Sequence, residues 1–60
     1  MKTWNVVRSQ LPPTPAEREQ VLEIQTVPSL VDALRLFDEQ RGRPRILAGV
    51  ERVKVVERES

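Results

Sequence analysis

The side chains in this sequence best suited to chemistry are basic: Arg41, Arg43 and Arg45, spaced two apart, and Arg52 with Lys54, beginning seven residues further on. A guanidinium or ammonium group recognises phosphate or carboxylate through charge-assisted hydrogen bonds, so these residues can bind a nucleic-acid backbone or an acidic protein surface. Each group also has a plainer use. Arg41, Arg43 and Arg45 follow a helical stretch, where positive charge complements the macrodipole. Arg52 and Lys54 alternate along a strand, where such charges keep an edge from pairing with another chain. Catalysis is not expected, because a chain with no His, Cys or Tyr lacks its usual general bases and its best nucleophile. Glu17, Glu19 and Glu23 bring no second type of ligand, and with neither thiolate nor imidazole in the chain we expect no metal and no cofactor.

Ten basic and nine acidic residues leave a net charge of +1, too balanced for a DNA mimic or a nonspecific nucleic-acid coat. No apolar run approaches the length of a membrane span, and none follows Lys2 as a signal-peptide core would, so a cytoplasmic location is expected. Sixty residues allow a single small domain over residues 1–60 that buries little apolar surface. Lacking disulfides or metal, such a fold gains most from a partner or a second copy of itself.

The elements that must position these residues are legible in outline. Residues 2–9 alternate with period two, Trp4 and Val6 on one side and Thr3, Asn5 and Val7 on the other, which predicts a strand. Pro12, Pro13 and Pro15 then enforce a loop, since each removes a ladder donor. This segment also reads as a proline-rich ligand, and Thr14-Pro15-Ala16-Glu17 as a helix start, but a stiff connection accounts for it better. Leu22, Ile24 and Thr26 alternate with Glu23 and Gln25, giving a second strand over residues 19–27. Ser29 with Asp32 forms a capping pair for a helix over residues 30–41, its stripe Leu30, Ala33, Leu34 and Phe37 facing inward. Gly42 is expected to cap that helix and Pro44 to prevent its resumption. From Arg45 a long third strand is expected, bulged at Gly49, with polar residues 57–60 fraying.

Strand, strand, helix, strand has one economical α+β solution. The first two strands form a hairpin, the helix crosses over, and the third strand lies beside the first in the order 2-1-3, running parallel to the second. The helix then covers one face of this ββαβ sheet, burying Trp4, Val6, Leu22, Ile24, Leu30, Leu34, Phe37 and part of the row from residue 46 to 55. Trp4 serves either as core or as an interface anchor, with core favoured. Leu34→Ala is expected to unfold an isolated monomer. The opposite face, where Val7, Val21, Val27 and Val56 are expected, has no helix to cover it, which would make that face or an exposed edge a docking surface.

Three segments carry a resemblance to a known family. Lys2-Thr3-Trp4-Asn5-Val6 is similar to an opening Lys-x-Trp-x-x-Val type of strand. Residues 27–36, VPSLVDALRL, are similar to a strand end followed by a capped helix with an Ala-Leu pair, and Val50-Glu51-Arg52-Val53-Lys54-Val55 to a Val-x-Arg-Val-Arg segment. Together they resemble the short phage-encoded inhibitor of bacterial RNA polymerase found in podophages of coliform hosts. The resemblance implies a noncatalytic protein of the host cytoplasm that binds RNA polymerase and interferes with promoter-complex formation, with Arg52 and Lys54 carrying contacts. Here Arg35 interrupts the acidic helix face of that family, and the loop between the first strands is longer. The alternatives are a nucleic-acid-binding module using all five basic residues, and a structural homodimer within a larger assembly. A host protein partner is favoured over nucleic acid, and no membrane association is expected.

Overall fold

A computed structural model describes residues 1–59 of the chain. Strand β1 (Lys2–Gln10) and strand β2 (Gln20–Val27) form an antiparallel hairpin. Helix α1 (Leu30–Gln40) and a single-turn helix α2 (Pro44–Leu47) follow, and strand β3 (Glu51–Glu59) pairs antiparallel with β1 on its other side. The sheet order is β2-β1-β3, with β3 running in the direction of β2, the expected α+β arrangement.

Local chemistry accounts for the element ends. The Ser29 hydroxyl accepts the Asp32 amide at 3.2 Å, and Asp32 places negative charge in the first turn of α1. Between β1 and β2 the prolines hold a turn: the Glu17 amide donates to the Thr14 carbonyl at 3.2 Å and the Thr14 hydroxyl to the Glu17 carboxylate at 3.5 Å. The capping residues of that segment thus close a turn, and the chain continues as a strand.

Three boundaries differ from expectation. Gly42 does not take a left-handed conformation; α1 ends at Arg41, whose amide donates to the Phe37 carbonyl at 2.9 Å. Pro44, expected only to stop a helix, occupies the first turn of α2, where a missing amide costs nothing. Residues 45–50 therefore belong to α2 and a turn, not to a bulged third strand. Gly49 makes that turn at φ +79°, the only positive φ among the described residues, and the Val50 amide returns to the Arg45 carbonyl at 3.1 Å. Residues 57–59, expected to fray, pair with Trp4, Thr3 and Lys2; Ser60 lies outside the described residues.

Burial shows which face α1 covers. Along β3, Glu51 is buried and Val53 and Val55 half-buried, whereas Arg52, Lys54 and Val56 are exposed. Directly paired residues share a face, so the covered side carries Trp4, Val6 and Arg8 of β1, Gln25 and Val27 of β2, and Val53 and Val55 of β3. The fully buried residues among apolar types are few: Val6, Val7 and Ala33. On α1 the inward side is Ala33, Leu36, Phe37 and Gln40, spaced i, i+3, i+4 and i+7, while Leu30, Val31 and Leu34 are exposed. Leu30 and Leu34 are therefore not core residues, and Leu34, 51% exposed, cannot carry the folding free energy expected of it.

Strand β2 departs most from its alternation. Its pairing with β1 slips between Arg8 and Ser9, so Glu23 opposes Arg8, Val21 opposes Ser9, and Leu22 is the extra residue. Ile24 opposes Val7 and Val27 opposes Trp4, so Ile24 lies on the open face and Val27 on the covered one, the reverse of the expectation. Leu22 and Ile24 are both exposed.

The result is a flat, incompletely covered molecule. Its extents are 38 × 23 × 13 Å and its radius of gyration is 12.3 Å, against about 10.4 Å for a typical folded chain of this length. Its accessible surface is 4514 Å², roughly 500 Å² above the size scaling for folded monomers.

Candidate functional site

The open face of the sheet is built jointly by sequence-distant residues of all three strands. In register across it lie Ser9 between Val21 and Arg52, Val7 between Ile24 and Lys54, and Asn5 between Thr26 and Val56. Val7 and Ser9 are buried although no helix covers them, because they occupy the central strand and their neighbours flank them on both sides. The Thr26 hydroxyl donates to Asn5 Oδ1 at 2.7 Å. Arg52 Nη2 meets the Glu19 carboxylate at 2.7 Å, an ion pair spanning the end of this face. Lys54 has no ion pair among the described residues and stands beside Val7, with Ile24 on the far side of that central residue. The face thus exposes Val21, Ile24 and Val56 around the buried Val7, with Arg52 and Lys54 along one side, a composition suited to an acidic, partly apolar protein surface.

The other basic candidates lie elsewhere. Arg41 pairs with Asp38 one turn earlier on α1 at 3.0 Å, both side chains exposed. Arg43 precedes α2 as its N-cap, exposed and making no side-chain cap bond. Arg45 reaches the covered side of the sheet, its Nε 2.6 Å from Glu51 Oε2. The structure therefore brings Arg52 and Lys54 together and separates both from Arg41, Arg43 and Arg45. The five basic side chains do not form one phosphate-tracking stripe, because the sheet divides them.

One cluster had no counterpart in the sequence reading. Glu51, its side chain 4% exposed, accepts from Arg45 and also from Arg8 Nη1 at 2.9 Å. The Arg45 bond, followed by the Arg8 bond, holds its carboxyl below the usual carboxylate range. The cluster fastens α2 to the start of β3 and lets Arg8 sit on the covered face, where a lone charge would be costly. Alternation alone held the clue: Arg8 shares the Trp4 and Val6 face, and Glu51 shares the Val53 and Val55 face, so each needed an opposite charge.

Two concave regions lie elsewhere on the surface. A cavity of about 430 Å³ is bounded by the proline loop and the strand ends at Gln10 and Gln20. A shallow groove of about 480 Å³ runs along α1 past Val31, Leu34 and Phe37. Among the described residues no helix is long and apolar enough to cross a membrane. Compared with known proteins, the chain matches no family, no curated protein and no solved structure.

Proposed function

We propose that this protein is a noncatalytic binding protein that docks onto a host macromolecule through the open face of its sheet, and that bacterial RNA polymerase is the target to assay first. The observation that carries the reading is the uncovered face itself, which exposes Val21, Ile24 and Val56 around the buried Val7 and carries Arg52 and Lys54. The choice of polymerase, and of a phage origin, rests on the resemblance of the first strand, the capped helix and the Arg52-Val53-Lys54 segment. Inhibition follows from occupancy: a small rigid sheet seated on an acidic surface excludes whatever binds there next.

Transcription from a promoter with purified bacterial RNA polymerase tests this directly. The wild type is expected to inhibit, and the double variant Arg52→Glu/Lys54→Glu to lose inhibition while keeping its circular dichroism spectrum, since exposed strand charges change stability by about 0.5 kcal/mol or less. A control with Arg18→Glu and Arg35→Glu is expected to inhibit normally. No inhibition by the wild type removes polymerase as the target. Equal inhibition by all three proteins removes Arg52 and Lys54 as the contact.

A further inference from the structure

The two edges of the sheet are treated differently by the sequence. Strand β3 carries six charged residues of both signs among its nine, with Arg52, Lys54 and Arg58 exposed. That is how natural sheets keep an edge from recruiting another strand. Strand β2, QVLEIQTV, carries a single charge at Glu23 and no Lys, Arg or Pro. It nevertheless exposes Val21, Leu22 and Ile24, the last of them 55% accessible. Its one irregularity, the bulge at Leu22, leaves residues 23–27 in regular register with β1 and their outer backbone groups free of any strand.

The geometry points to a second copy of this chain as the occupant of the β2 edge, paired antiparallel about a two-fold axis at Ile24. An isologous strand pair places the axis perpendicular to the sheet and requires facing residues to lie on the same side. With Ile24 on the axis, it faces its own counterpart on the open side and Glu23 faces Gln25 on the covered side, and the bulge at Leu22 ends the regular pairing beyond them. No like charges meet. The β3 edge fails the same test in each of its three central registers. Centring on Val55 sets Arg52 against Arg58 and Glu51 against Glu59, centring on Lys54 opposes two lysines, and centring on Val56 sets Lys54 against Arg58.

Charge agrees with this assignment. A net charge of +1 puts little general repulsion between them. The assembly is a six-stranded antiparallel sheet, β3-β1-β2-β2-β1-β3, with both α1 helices on one side and the two open faces joined into one.

The absence of cysteine makes a clean experiment. Sedimentation equilibrium of the wild type is expected to show a monomer–dimer equilibrium between micromolar and submillimolar concentration. Ile24→Lys, which opposes two ammonium groups on the axis, is expected to be monomeric throughout. A wild type that stays monomeric over the whole range overturns the inference. In parallel, Ile24→Cys, Val56→Cys and Leu34→Cys are oxidised under identical mild conditions. Facing residues of an antiparallel pair lie within disulfide reach, so Ile24→Cys is expected to cross-link at least tenfold faster than the other two. Faster cross-linking through Val56 or Leu34 moves the interface to the other edge or to the helix and overturns the β2 assignment, even if Ile24→Lys proves too unstable to weigh.

Discussion

Truncating Leu34 separates a helix that is half-solvated from one that is core, and the size of the effect follows from exposure. Leu→Ala removes three carbons, worth about 0.8 kcal/mol each when fully buried. Leu34 is 51% exposed, so the transfer loss is about 1.2 kcal/mol, and no closed cavity forms because solvent already reaches the site. Alanine's higher helix propensity returns a few tenths, leaving a cost of about 1 kcal/mol and a fall in Tm of about 4–8 °C for a domain of this size. Val6→Ala is the contrast. It deletes two carbons, but Val6 is 3% exposed beneath α1, so about 1.6 kcal/mol of transfer plus a cavity term gives about 2–3 kcal/mol. The smaller deletion should cost about twice as much. Thermal and urea melts followed by circular dichroism, at several protein concentrations, measure both. If Leu34→Ala costs as much as Val6→Ala, then Leu34 is buried in solution and the account of α1 is wrong. If its cost grows on dilution, α1 rather than β2 forms the subunit contact.

Other outcomes follow from the clusters at the ends of β3. Because the folded state holds the Glu51 carboxyl below its ordinary value of 4.5, its contribution to stability is complete above that pH and is lost as pH falls through the depressed value. Glu51→Gln should therefore melt lower than wild type at neutral pH, with the gap closing below pH 4.5, and a gap that widens in acid would contradict the cluster. Gly49→Ala should cost about 1–2 kcal/mol from backbone strain alone, since φ is +79° and no atom lies within 4 Å of the new Cβ. Gly42→Ala, whose Cβ would meet only the Glu39 carbonyl at 3.7 Å, should be neutral or stabilising, and equal melting of the two variants would refute the turn assignment.

The sequence by itself determined the elements whose signals are local. Period two over residues 2–9 made β1, the prolines excluded strand and helix from the loop, and Ser29 with Asp32 started α1 where expected. A hairpin followed by a crossover helix then left little choice of sheet order, and β2-β1-β3 is observed. The pairing of Arg52 with Lys54 on an exposed face was readable for the same reason, since alternation along one strand needs no distant partner. What only the tertiary structure decided involves contacts between residues far apart in sequence. The bulge at Leu22 exists only in register with Arg8 and Ser9, and it exchanged the faces of Ile24 and Val27. Alternation within β2 cannot reveal a slip against β1. The helical stripe gave the right period and placed Ala33 and Phe37 correctly, but the face that packs is turned toward Leu36 and Gln40 and leaves Leu30 and Leu34 in solvent. Short α2 was missed because four residues carry too little periodicity, and the pairing of Glu51 with both Arg45 and the distant Arg8 forms only where β3 lies beside β1.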